Sequence, residues 1–312
     1  MKQTIIFFSL LIALAACSPY GDLKKMEFDE LNYPYNVNYV NLDDGRRIAY
    51  VDEGKGEETI IFIHGLGSYL PAWKKNIEEL KNDFRVIALD LPGYGKSSKE
   101  VHSGSMEFYA DVINEFTDKL ELDKFVLGGH SMGGQIAMVA ALRYPEAVSK
   151  LILIAPAGFE KFTEGEKEWF REVMTVEGVA LTSNQQIRTN VYSNFYNMPD
   201  DAEFMITDRI AMKRAEGFEN YAYAVVQSVN GMVDEPVIDF LQNIEQPVLI
   251  IFGQDDQLIP NPYLNPGFTR EVAEAGHSRI PNSQLVMLEN TGHFAQFENP
   301  GKVNDAIRDF LK

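Results

Sequence analysis

Hydrophobic positions along the chain fall into short continuous apolar runs separated by stretches of helical period. The runs TIIFIHG (residues 59–65), FRVIALD (84–90), KFVLGGHS (124–131), KLILIAP (150–156), PVLIIFG (247–253) and QLVMLEN (284–290) place apolar residues at consecutive positions. That pattern suits strands buried on both faces. RRIAYVDEG (46–54) reads as a further strand before them. Residues 74–80 read as a helix, and so do residues 105–120, capped by Ser105, with Phe108, Val112, Ile113, Phe116 and Leu120 along one side. Strands alternating with helices predict an α/β fold whose sheet is mostly parallel and covered by helices.

The strand signal stops after Ala157 and returns only past Glu235. Helical patterns fill the gap, as in EKEWFREVMTVEG (166–178) and DAEFMITDRIAMKRAEGFENYAYAVVQSV (201–229). This insert, residues 158–235, divides the core into residues 38–157 and 236–312. It carries Met174, Met198, Met205, Met212 and Met232 and many aromatics, among them Trp169, Phe170, Phe195, Tyr196, Phe204 and Phe218. Most of these side chains are expected to form the insert's own small core. Flexible Met and aromatic groups facing the sheet would also suit an irregular apolar ligand.

The N-terminus has a different pattern. Lys2 is followed by the apolar run IIFFSLLIALAA (5–16) and then Cys17. The run is too short for a bilayer span of roughly 20 residues, and its positive start and small residues before Cys17 fit a secretory signal peptide, residues 1–16. A buried N-terminal helix would need an amphipathic face, which this run lacks. LAAC (14–17) resembles the lipobox of bacterial lipoproteins, which implies cleavage before Cys17 and a lipid on its sulfur. Cys17 is the only cysteine, so no internal disulfide can form. Ser18 after it, rather than Asp, implies by the same resemblance sorting to an outer membrane. Residues 17–37 are then a lipid-anchored tether and an arm lying on the domain. The formal charge of −18 excludes a phosphate backbone as partner, because such binding needs clustered Lys and Arg.

Candidate chemistry centres on GGHSMGG (128–134), where Gly129, Ser131 and Gly133 form a GxSxG pattern between a buried strand and a helix. The glycines remove Cβ atoms where strand and helix nearly touch, so a strained turn can raise the Ser131 hydroxyl. A serine needs a base, and the chain has five histidines. His64 sits in IHGLG, a place for loop structure. His130 adjoins Ser131 and is expected to point away from it. His102 and His277 lie in polar stretches with no strand end nearby. His293, after a strand and a Thr-Gly turn, is the expected base. Asp255 and Asp256 follow the strand PVLIIFG and are the candidate acids. GYGKSS (93–98) lacks the leading glycine of a phosphate loop, and no HExxH pair, paired cysteines or EF-hand spacing points to a metal. No cofactor is expected.

From about Val37 onward, HGLG, DLPGYGKS, GHSMGG, GQDDQLIP and TGHFAQFENP occur in the order of the α/β-hydrolase superfamily, and the chain resembles its lid-bearing members. The resemblance implies Ser131 as nucleophile, Asp256 as acid with Asp255 second, His293 as base, the backbone N–H groups of Leu66 and Met132 as oxyanion hole, and the insert as lid. HGLGS and GHSMGGQIA are similar to bacterial esterases and monoacylglycerol lipases, implying hydrolysis of carboxylic esters, with a lipid or fatty acyl ester as small-molecule substrate. Relatives with the same triad cleave carbon–carbon bonds, lactones, amides or thioesters. Serine at 131 argues against the dehalogenase and epoxide-hydrolase relatives, which use aspartate there. A non-catalytic anchored binding protein would have no need for all three side chains.

Overall fold

The computed structural model describes residues 20–312. The segment 1–16, the lipobox and Cys17 lie outside the described residues. Eight strands form one sheet: β1 (Asn38–Asn41), β2 (Arg47–Glu53), β3 (Thr59–Ile63), β4 (Arg85–Leu89), β5 (Phe125–His130), β6 (Val148–Ile154), β7 (Val248–Gly253) and β8 (Ser283–Leu288). Their spatial order is β1-β2-β4-β3-β5-β6-β7-β8. The first two pairings are antiparallel and every pairing from β4 to β8 is parallel. The continuous apolar runs are the reason. Ile60 to Ile63, Val86 to Leu89, Leu151 to Ile154 and Val248 to Phe252 are all buried, as strands covered on both faces must be.

Helices α1 (Lys74–Leu80), α2 (Met106–Lys119), α3 (Met132–Arg143), α9 (Thr269–His277), α10 (Ala295–Glu298) and α11 (Pro300–Leu311) cover the sheet. Ser105 caps α2 by accepting a hydrogen bond from the Phe108 N–H at 3.0 Å. The buried stripe of α2 runs through Tyr109, Val112, Ile113 and Phe116. Phe108 and Leu120, expected on that stripe, are only half-buried. Both still pack against the main core, and Phe108 also stacks on His102, with ring centroids 4.8 Å apart.

Five helices stand between β6 and β7: α4 (Glu164–Val173), α5 (Val176–Leu181), α6 (Asn184–Tyr192), α7 (Phe204–Met212) and α8 (Phe218–Asp234). Each long helical pattern of the sequence is broken once, at Met174–Thr175 and at Lys213–Gly217. Thr175 starts α5 by accepting from the Gly178 N–H, and Gly217, at φ +79°, starts α8. The insertion is unevenly attached. Helix α8 is fastened to the core by Ser228, whose Oγ lies 2.8 Å from both the Tyr94 and Tyr109 hydroxyls. At its C-terminal end the Gln135 amide of α3 donates to the carbonyls of Met232 and Glu235 at 3.1 and 2.8 Å. Helices α4 and α5, in contrast, contain no fully buried residue.

The arm before β1 is more than a tether. Phe28, Leu31 and Tyr33 are buried in the main core. The Tyr33 hydroxyl donates to Asp90 at 2.5 Å, and the same carboxylate accepts from the N–H groups of Leu70 and Lys96, each at 2.8 Å. Asp90 therefore organises the DLPGYGKS turn from within. Among the described residues, no helix is long and apolar enough to cross a membrane.

Candidate active site

Parallel strands point their C-terminal ends the same way, so the loops leaving β3, β5, β7 and β8 meet at one edge of the sheet. These four loops carry His64 to Gly67, Ser131, Asp256 and His293.

Ser131 occupies the single residue between β5 and α3, with φ +54° and ψ −118°. A non-glycine residue held there stores roughly 1–3 kcal/mol of strain. Neighbouring contacts hold it in place: its N–H donates to the Ile154 carbonyl at 3.0 Å, and its own carbonyl accepts from Gly134 and Ala157 at 2.9 and 3.0 Å. The flanking glycines are required by space. A Cβ at Gly129 would stand 2.1 Å from the Gly133 carbonyl oxygen, and one at Gly133 would stand 2.4 Å from that of Ile63. The oxyanion-loop candidate packs against the same turn, since a Cβ built on Gly65 would lie 3.1 Å from the Ser131 Cβ.

Met132 is the first residue of α3, where a helix leaves its N–H groups unpaired and the positive end of its dipole free. Neither the Met132 nor the Leu66 N–H donates to a backbone carbonyl among the described residues. Both are available to an acceptor that enters the site.

In the loops after β8 and β7, His293 Nδ1–H donates to Asp256 Oδ2 at 2.7 Å, with both side chains almost fully buried. The other oxygen, Asp256 Oδ1, accepts from the Leu258 and Ile259 N–H groups at 2.8 and 3.1 Å. This pairing fixes the imidazole tautomer and leaves Nε2 as the acceptor. Asp255, the alternative acid, is half-exposed, and its N–H donates to Thr291.

The remaining histidines have structural partners. His64 Nδ1–H donates to the Gly65 carbonyl at 2.8 Å, and its Nε2 accepts from the Leu91 N–H at 3.1 Å. Burial pushes its pKa down to about 4. His102 lies in the fold interior, a correction to its polar-stretch appearance. Its Nε2–H donates to Pro92 and its Nδ1 accepts from the Gly104 N–H, each at 3.1 Å, and burial lowers it to about 4 as well. His277 Nδ1 pairs with the Ser283 hydroxyl at 2.8 Å, close to the start of β8. His130 Nε2–H donates to the His293 carbonyl at 3.0 Å and its ring centroid lies 4.7 Å from that of His293, so the residue before the elbow props the histidine loop. Desolvation and the neighbouring His293 hold it well below the ordinary imidazole range.

Sequence patterns did not expose Arg209. This α7 residue donates from its guanidinium to the Gly67 carbonyl, next to Leu66, and lies 5.2 Å from the centre of the Tyr221 ring. Among the described residues no carboxylate pairs with it. No three His, Cys, Asp or Glu side chains converge as a metal would require, again among the described residues.

A serine on a strained strand-to-helix turn, flanked by free N–H groups, shares a sheet edge with a carboxylate-oriented imidazole. A family model described as the alpha/beta hydrolase fold matches residues 58–300. The chain belongs to the α/β-hydrolase family. It is 32% identical over 285 residues to 2-hydroxy-6-oxononadienedioate/2-hydroxy-6-oxononatrienedioate hydrolase 1 of Pseudomonas putida, covering 88% of this chain and 95% of the relative. Among solved structures it resembles a probable hydrolytic enzyme of Pseudomonas aeruginosa PAO1, with TM-score 0.81, 25% identity and coverage of 93% and 99% of the two chains. It also resembles a membrane phospholipase A described as a bacterial virulence factor, with TM-score 0.69, 26% identity and coverage of 88% and 85%. This α/β-hydrolase is accordingly a hydrolytic enzyme.

Proposed function

We propose that the protein is a serine hydrolase of carboxylic esters, with lipid or fatty acyl esters such as monoacylglycerols as substrates. The observation that carries this reading is the Asp256-oriented imidazole of His293 on the sheet edge that holds Ser131 in its strained turn. His293 Nε2 takes the Ser131 proton as Oγ bonds to the acyl carbon. The carbonyl oxygen becomes an anion held by the Leu66 and Met132 N–H groups. Collapse expels the alcohol, which receives the proton from His293, and leaves the acyl group on Ser131. Water, deprotonated by His293, then attacks the acyl carbon, and the acid and free serine are restored.

The aromatic and methionine-rich insertion, read as a lid, would select the acyl group. The similarity to a membrane phospholipase A supports a lipid substrate. A lipid on Cys17 would hold the exported enzyme on the bacterial envelope beside such substrates, each buried methylene adding about 0.8 kcal/mol.

Ser131→Ala should lower turnover of p-nitrophenyl esters by about 10³-fold or more and abolish labelling by a fluorophosphonate. Undiminished turnover would remove Ser131 from the reaction.

Arg209 favours a second reading. A cation without a carboxylate partner beside the oxyanion loop suits an acidic substrate, and the P. putida relative is named for a dioate. Under that reading the same triad cleaves a carbon–carbon bond. Profiling neutral monoacylglycerols against a vinylogous diketone bearing carboxylates separates the two, and Arg209→Gln should impair the acidic substrate far more than the neutral ester.

A further inference from the structure

The N-terminal arm leaves the fold on the insertion. The Tyr20 hydroxyl donates to Glu203 at 2.8 Å, and Met26 N–H donates to the Ala211 carbonyl at 3.2 Å. In return, the Arg214 guanidinium donates to the Leu23 carbonyl at 2.9 Å and Glu216 N–H to the Glu27 carboxylate at 2.8 Å. Tyr20 and Leu23 pack on Ile187, Ile206 and Ile210 of α6 and α7. A chain fixed in this way reaches Cys17 in three residues, which span at most about 10 Å.

We infer that the face of the insertion around Tyr20, bounded by Leu181 and Tyr192, is the surface this protein lays on a lipid bilayer. The inference rests on the lipid anchor at Cys17 proposed above, and it adds the orientation that the anchor alone would leave free. Leu181 is 70% exposed and Tyr192 42% exposed, an aliphatic and an amphipathic aromatic side chain of the kind that enter a headgroup layer. Arg188 connects them to the arm: it stands beside the Tyr20 hydroxyl, with its guanidinium 4.5 Å from the centre of the Tyr192 ring. Lys213 reaches the Thr182 carbonyl, next to Leu181.

Several cations on this face lack a carboxylate partner, although the whole chain carries −18. Among the described residues Lys24, Arg188, Lys213 and Arg214 have no carboxylate within salt-bridge distance. The nearby acids Glu203 and Glu27 are occupied by Tyr20 and by Lys25 with the Glu216 N–H, respectively, while Asp22, Glu30 and Glu216 add further negative charge beside them. Unpaired cations near a bilayer attract anionic headgroups at about 1 kcal/mol each.

The test uses full-length lipidated protein reconstituted in vesicles of phosphatidylethanolamine and phosphatidylglycerol. Single labels are placed by Leu181→Cys, Tyr192→Cys and, at the opposite end of the sheet before β5, Lys124→Cys. Quenching by doxyl-labelled lipid should be several-fold stronger at 181 and 192 than at 124. Equal quenching at all three positions, in protein that remains on the vesicles and carries lipid on Cys17, overturns the docking face and leaves the anchor standing. Protein that carries no lipid at Cys17 and stays in the soluble fraction overturns both. Unquenched labels that crosslink to an envelope protein would assign the face to a protein partner and also overturn it.

Discussion

Asp256 commits its two oxygens to different partners, and that division decides the effect of a neutral replacement. Oδ1 serves the Leu258 and Ile259 N–H groups, while Oδ2 serves His293. Asparagine has one acceptor oxygen, which the two backbone donors would claim. Its NH₂ would then face Nδ1, push the proton to Nε2, and leave the imidazole unable to accept from Ser131. Asp256→Asn should therefore lower kcat by about 10⁴-fold with the fold intact. Asp255→Asn should keep most of the activity, because that side chain is half-exposed. A purified Asp256→Asn enzyme of normal turnover would show that the acid lies elsewhere.

At the level of elements, the insertion has a fixed side and an outer side. Helix α8 is held by Ser228 and Gln135, whereas α4 and α5 bury nothing completely. Local opening costs least where few apolar contacts are made. Amides of α4 and α5 should exchange with deuterium orders of magnitude faster than those of α8, read by mass spectrometry of peptic fragments. Equal protection would mean that the insertion opens as one unit. The strands were legible in the sequence because burial on both faces writes an unbroken apolar run. The α2 stripe was legible for a related reason: Phe108 and Leu120 pack against the core although each keeps part of its surface exposed. The strand-end placement of Ser131, Asp256 and His293 was legible for the same reason as the strands. Arg209 was not, because nothing local to α7 indicates which loop lies above it.

Across the whole molecule, buried imidazoles link stability to pH. His64 and His102 are held neutral with pKa values near 4, against about 6.5 in an unfolded chain. Between those values the unfolded state binds more protons, so stability rises with pH through the window and is lost as pH falls from 6.5 toward 4. A shift of this size is worth about 3 kcal/mol per ring. The urea midpoint should fall across that range, and His102→Gln should flatten part of the decline; a midpoint constant from pH 7 to 4.5 would contradict the assignment. The convergence of strand ends has a consequence for the order of events during folding. Ser131 follows β5, but Asp256 and His293 arrive only after β7 and β8, beyond the whole insertion in the chain. Contacts so distant in sequence form late, because the loop between them must close first. Until then the proposed nucleophile has no base, and the proposed chemistry is silent through synthesis.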